Sequence, residues 1–347
     1  MATQTNAPLP EGLELGGYRI VRKIASGGFS IVYLAEDGDG EYVAVKEYLP
    51  SSLVKRDSGE LAPVVASDNL ITYRNGLKCF FEEGRALARI LHPNVVRVVN
   101  FFRAYDTVYM VMAYEQGRTL QDIVLRYRAR NQKVIVPERH IRRIFAQVMN
   151  GLREVHANRL LHLDLKPANV YLRSDGTPML LDFGAARQTL TADAPKLFPM
   201  YTPGFAAPEL YKRNHEFGPW TDIYCLGASM LACMVGQPPQ PADQRATNDR
   251  MPAQFEVLAQ HYSSALVDLV AWCLKVDPLA RPQSVFAVQR ALRGLTAAPD
   301  AASDAAPAAV AGSRERSKFG RIFDSMTRRF SARQIEPDAI AAPTVAE

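Results

Sequence analysis

The stretch Leu160–Leu172, LLHLDLKPANVYL, sets two charged residues and an amide, Asp164, Lys166 and Asn169, inside an otherwise apolar run. Their spacings of two and three residues fit neither one face of a strand nor one stripe of a helix. The pattern fits a loop that emerges from a packed core and gathers polar groups at one place.

Upstream of it, PERHIRRIFAQVMNGLREVHANR opens on Pro137, a helix-start signal. It repeats apolar residues at Ile141, Ile144, Phe145, Val148 and Leu152, one face of an amphipathic helix. Farther upstream, from Tyr18 to Val45, short β-like runs alternate with turn signals such as EDGDGE, which predicts an antiparallel start. A β-rich part therefore precedes an α-rich part. Residues 1–17 are polar and carry Pro and Gly, and after Leu295 the composition turns to TAAPDAASDAAPAAVAG, a linker with little to bury.

A chain of 347 residues has room for two lobes and a tail, and 48% apolar residues supply a large core. Cys79, Cys225, Cys233 and Cys273 lie far apart, with no C-x-x-C pair and no neighbouring His cluster, which predicts reduced thiols and a cytoplasmic location. No apolar run reaches the ~18 residues of a spanning helix. The first residues, MATQTNAPLPEGLELGG, lack the basic and apolar regions of a signal peptide. The formal charge of +5 is concentrated in one place: Arg314, Arg316, Lys318, Arg321, Arg328, Arg329 and Arg333 stand against Glu315 and Asp324, which accounts for all of it. The rest of the chain balances near zero, so no nucleic-acid partner is expected for the folded part.

Several motifs carry chemistry. Ile24–Glu36, IASGGFSIVYLAE, joins two strand-like pieces through Ala25, Ser26, Gly27 and Gly28, small residues whose backbone can close over phosphates or simply turn a hairpin. YVAVKEY then delivers Lys46 beside apolar Ala44 and Val45, where a cation can meet phosphate oxygens if a carboxylate fixes it. Glu83, in the helical run FFEEGRALARIL, can serve. LLDFGAAR places Asp182 thirteen residues after Asn169, and AAPE and DPLARP follow.

In order and spacing these motifs resemble the eukaryotic-type serine/threonine protein kinase family, from about Tyr18 to Leu295. The resemblance implies an α+β, two-lobed protein-kinase fold: a small antiparallel-β N-lobe with one main helix, a larger mostly α-helical C-lobe, and an ATP cleft between them. The implied organisation is an N-terminal extension over 1–17 and a kinase domain over 18–295, with N-lobe about 18–112, hinge 113–117 and C-lobe about 118–295. A linker over 296–312 and a basic amphipathic tail over 313–347 follow.

By the same resemblance, Lys46 contacts the α- and β-phosphates and pairs with Glu83, and Asp164 accepts the proton of the substrate hydroxyl. Lys166 steadies the phosphoryl group in transfer, while Asn169 and Asp182 hold magnesium, or manganese in its place. ATP, the implied donor, lies against Ile24, Ala25, Ser26, Gly27, Gly28, Phe29 and Ser30 of the loop and under Val32 and Ala44. It meets Met112 and the main chain of Ala113 and Glu115 in VYMVMAYEQG, with Tyr171 below the purine. Thr202, in YTPGFAAPE, belongs to the substrate loop, and Lys166 implies a protein acceptor bearing Ser or Thr. Asp222 braces the catalytic loop, Glu209 and Arg281 form a buried ion pair, and His162 and Phe183 pack as a spine.

The chain also departs from the family. Ala25 and Ser30 stand at the first and third Gly positions of the phosphate loop, with Gly27 retained at the second, and Tyr171 stands where most relatives have an aliphatic residue. Leu163 stands where relatives switched by activation-loop phosphorylation have Arg, so activity without that phosphorylation is expected. The thirty-six residues between Lys46 and Glu83 include LPSSLVKRDSGELAPVV and predict an insertion, either a loop or a hairpin that positions the helix of Glu83. In the tail, Phe319, Ile322, Phe323, Met326 and Phe330 share one face of a basic amphipathic pattern. Membrane-surface or partner docking through residues 313–335, folding back onto the domain, and a segment that pairs with nothing all stay open. The rival reading of the whole chain is a pseudokinase or scaffold, binding partners or nucleotide without efficient transfer.

Overall fold

The computed structural model of the chain describes residues 5–130, 136–183, 201–212 and 215–294. The linker, the basic tail, Thr189, Thr191 and Gly184 of LLDFGAAR lie outside the described residues.

The N-terminal part is a six-stranded antiparallel sheet in the order β1-β2-β3-β4-β8-β7. Its strands are β1 (Glu14–Leu15), β2 (Tyr18–Gly27), β3 (Ser30–Glu36), β4 (Tyr42–Tyr48), β7 (Val98–Ala104) and β8 (Thr107–Ala113). Local chemistry makes the turns. After β3, Asp37 Oδ1 accepts from the backbone N–H of Asp39 and of Glu41, an Asx turn closed by Gly40 at φ +82°. Between β7 and β8, Tyr105 and Asp106 both take positive φ, 47° and 56°, the conformation a two-residue hairpin requires. The insertion after β4 is a small antiparallel hairpin, β5 (Val54–Lys55) with β6 (Val64–Val65). It leads directly into helix α1 (Leu70–Leu87), which carries Glu83.

The C-terminal part is helical: α2 (Leu120–Arg130), α3 (Glu138–Ala157), α4 (Pro219–Val235), α5 (Ala242–Arg245), α6 (Met251–Leu258), α7 (Ser264–Cys273) and α8 (Val285–Gly294). Pro137 sits immediately before α3, whose buried stripe includes Ile141, Ile144, Phe145, Val148 and Leu152. Helix α4 is apolar nearly all round and buried from Thr221 to Met234, as a central helix must be. It stops at Gly236, which takes φ +75° and returns its N–H to Ala232 O at 2.8 Å. Arg281 forks onto Glu209 at 2.8 and 2.9 Å, and both side chains are buried. Among the described residues no helix is long and apolar enough to cross a membrane.

Between the two parts lies a three-stranded sheet, β9 (Gly117–Thr119), β10 (Val170–Arg173) and β11 (Pro178–Leu180), with β10 in the middle. This small sheet positions the site.

Candidate active site

Hairpin β10–β11 explains why residues thirteen apart in sequence share one place. Val170 pairs with Leu180, and Leu181 N–H donates to Asn169 O at 2.9 Å, so Asn169 and Asp182 stand at the same open end. A turn of 3₁₀ helix, Pro167–Asn169, then carries the chain back to Lys166 and Asp164.

The backbone of that loop is held from below. Leu163 adopts φ +60°, a left-handed conformation that costs a side-chain-bearing residue about 1–2 kcal/mol. It turns two consecutive N–H groups downward, and Asp222 on α4 receives both, His162 N at 2.9 Å and Leu163 N at 2.7 Å. His156 Nε2 lies 2.8 Å from the same carboxylate. Burial pushes the Asp222 carboxyl up, but these hydrogen bonds and the neighbouring histidines outweigh it and hold it below the ordinary carboxylate range. Ser229, also on α4, donates to Leu165 O at 3.2 Å. His162 donates through Nε2 to Leu181 O at 3.0 Å and packs on Phe183 with ring centroids 4.5 Å apart, which ties the loop to the segment of Asp182.

Above this base the polar groups meet. Asp164 Oδ2 accepts from Lys166 Nζ at 2.6 Å and Oδ1 from Thr202 Oγ1 at 2.8 Å, while Lys166 also donates to Thr202 at 2.6 Å. Asn169 Nδ2 donates to Asp164 O at 2.8 Å and to its Oδ2 at 3.2 Å. With that nitrogen engaged, the Asn169 side-chain oxygen remains for a hard cation. Asp182, at φ +56°, directs its carboxylate to an ion pair with Lys46 of β4, and its side chain is 49% exposed at the opening. Desolvation by the surrounding protein raises the Asp182 carboxyl, and Lys46, then Lys166 and His162, overcome it and lower it below the usual value. An amide oxygen and a carboxylate side by side suit magnesium, which takes few protein ligands and keeps waters and phosphates for the rest. Asn169 and Asp182 fit that ion.

Strand register gathers the residues expected at the nucleotide. Ala25 pairs with Val32, Val32 with Lys46, and Ala44 with Met112, so these side chains share one face of the sheet. Ile24 and Ser26 flank Ala25 on β2, and Gly27 pairs with Ser30 across a tip made of Gly28 and Phe29. The Lys46 ammonium lies 5.6 Å from the centroid of Phe80 on α1, and Glu83 is buried one turn farther along that helix. At the hinge, Ala113 N–H donates to Arg97 O at 2.9 Å. Tyr171 donates to Glu115 O at 3.2 Å, and Arg173 reaches the Glu115 carboxylate at 3.4 Å, so β10 braces the connecting segment. Burial pushes the Tyr171 phenol up to about 12.

His156 and Ser229 support the loop without any sign in the sequence. Each looks like an ordinary helix residue, and no local spacing marks a side chain whose partner comes from a distant loop.

The family model described as protein kinase domain matches residues 18–292. The serine/threonine-protein kinase STE20 of Candida glabrata is 29% identical over 272 residues, covering 76% of this chain and 26% of that protein. The CBL-interacting protein kinase 4 of Oryza sativa subsp. japonica is 32% identical over 228 residues, 65% of this chain and 46% of that one. The chain thus spans about a quarter to under a half of these relatives. Among solved structures, the PpkA-294 apo form superposes with a TM-score of 0.72 at 32% identity, covering 82% of this chain and 99% of that one.

Proposed function

The chain belongs to the protein kinase domain family, and on that premise we propose that it transfers the γ-phosphoryl group of ATP, with magnesium, to Ser or Thr hydroxyls of proteins. One observation carries the reading. The Asp164–Lys166–Thr202 triangle stands beside the paired Asn169 and Asp182, and Lys46 reaches Asp182 from the opposite lobe.

In this reading Asp164 takes the proton of the acceptor hydroxyl, its carboxylate aimed by Thr202 and Lys166. Lys166 holds negative charge on the transferring group, and Lys46 sits on the nucleotide face of the sheet to meet the other phosphates. Glu83, buried on α1, fixes Lys46 in this reading. Bound by Asn169 and Asp182, magnesium supplies charge screening on the triphosphate. Val32, Ala44 and Met112 make an apolar face for the purine, with Ala113, Glu115 and Tyr171 at its edge. Catalysis is then mainly positioning, in which fixed charges spare the reaction its reorganisation.

The test is product identity. Purified chain, ATP, magnesium and a mixed Ser/Thr/Tyr peptide library are incubated, and the modified residues are read by mass spectrometry. Phosphoserine and phosphothreonine are expected; nucleotide binding without phosphopeptide would favour the scaffold reading instead.

A further inference from the structure

Arg56, in the inserted hairpin, is fully buried and so is its partner Glu47. A guanidinium has five N–H donors, and all five are engaged. Nε donates to Ala7 O at 2.9 Å, Nη1 to Glu47 Oε1 at 2.5 Å and to Leu61 O at 3.3 Å, and Nη2 to Glu47 Oε2 at 2.8 Å and to Tyr33 Oη at 3.2 Å. Glu47 also accepts from Tyr33 Oη at 2.7 Å and Tyr109 Oη at 2.9 Å, while Leu9 N–H donates to Tyr33 Oη at 3.0 Å. The network draws on the N-terminal arm, β3, β4, the insertion and β8. It is satisfied only when arm and insertion are both docked, and a half-satisfied buried network is costly.

Glu47 follows Lys46 on β4, so the two point to opposite faces of the sheet. The insertion also touches the other moving parts of the site. Its first residues bind the tip of the phosphate loop, Leu49 N–H to Phe29 O and Ser51 N–H to Gly28 O, each at 2.8 Å. Its far end, Asn69, immediately precedes α1 and donates through Nδ2 back to Leu53 O at 3.2 Å, which closes the insertion at the start of that helix. Tyr48, the last residue of β4, stacks on Tyr73 of α1 with centroids 5.7 Å apart and packs at a tilt on Phe80 at 5.5 Å, and Gly76 passes so close that any Cβ would strike its hydroxyl.

We propose that Arg56 is a positioning residue. Its fork on Glu47 locks the insertion and the N-terminal arm to β4, and thereby holds the phosphate loop, Lys46 and the helix of Glu83 in working register. The functional unit then includes residues 6–17, ahead of the matched family segment. The activity part of this inference rests on the kinase reading above.

The experiment compares full-length wild type with Arg56→Lys, Arg56→Met and Arg56→Met/Glu47→Gln, recording kcat, KM for ATP and for acceptor peptide, thermal midpoint, and hydrogen exchange of α1. Arg56→Met is expected to lower kcat at least tenfold with acceptor KM within twofold, and to speed exchange in α1 but not in α4. Arg56→Lys keeps the charge with fewer donors and is expected to fall between. In the double variant neither partner is left as an uncompensated buried charge, so the midpoint recovers while kcat stays low and α1 stays fast to exchange. Recovery of kcat along with the midpoint, or unchanged α1 exchange in Arg56→Met, overturns the proposal. If Arg56→Met does not fold, the double variant and Arg56→Lys decide it. If wild type transfers no phosphoryl group, the kinase reading falls and the exchange comparison still judges the inference.

Discussion

Thr202 donates a hydrogen bond to Asp164 at 2.8 Å across 38 residues of sequence. The same hydroxyl accepts from Lys166, which also bonds Asp164 directly at 2.6 Å, so the three groups close a triangle that fixes the carboxylate. A hydrogen bond to a charged group is worth about 1.5–3 kcal/mol, which corresponds to roughly ten- to hundredfold in rate if it is realised in the transition state. Thr202→Val is expected to lose kcat in that range with little change in the KM for ATP, and Thr202→Ser to keep most of it. Steady-state kinetics checks both; a normal kcat in Thr202→Val removes the hydroxyl from the mechanism.

Asp222 accepts the two loop amides of His162 and Leu163. Asn at this position has one acceptor oxygen, so Asp222→Asn leaves a buried N–H unsatisfied at a cost of about 1–3 kcal/mol. The left-handed Leu163 then loses its compensation and Asp164 its fixed base. A thermal midpoint lower by several degrees and a reduced kcat are expected together. A variant with a lower midpoint and full kcat would separate the brace from the chemistry.

Stability is expected to decline as pH falls from 7 to 5. Burial lowers the pKa of His162 below its ordinary 6.5, against the opposing pull of Asp222, Asp164 and Asp182. A ring held neutral in the fold contributes stability above about 6.5 that is lost below it, where the unfolded chain takes up the proton more readily. Asp222 and Asp182, lowered from an ordinary 3.8, lose their contributions only as pH falls below 3.8 and continues through their folded values. Thermal melts at pH 7 and pH 5 should therefore show a smaller drop for His162→Gln than for wild type. Equal drops would mean other groups dominate.

Leu163 is buried and apolar, with no charge to receive a phosphate. Thr189→Ala/Thr191→Ala is accordingly expected to retain turnover within a fewfold of wild type. Lost turnover that phosphomimetic substitutions restore would show a phosphorylation switch despite Leu163.

Much of the site was legible because its groups cluster in short motifs around tight turns: Asp164, Lys166 and Asn169 share one loop, and Asp182 follows at the length of one hairpin. The sheet was legible from β-like runs and turn residues, and α3 from its stripe. The insertion was visible only as excess length. VKRDSG looks like a solvated loop, and nothing local marks Arg56 as buried, because its partners Glu47, Tyr33 and Ala7 come from three other segments. His156 escaped for the same reason.

The most direct test of the central claim is transfer of label from γ-labelled ATP to a Ser/Thr acceptor by wild type, Lys46→Met and Asp164→Asn side by side. Removing a general base costs about 10²–10⁴-fold, so label should accumulate with wild type and fall by at least a hundredfold with Asp164→Asn, with Lys46→Met also impaired. Label accumulating equally with all three, or with none while ATP still binds, would contradict the account.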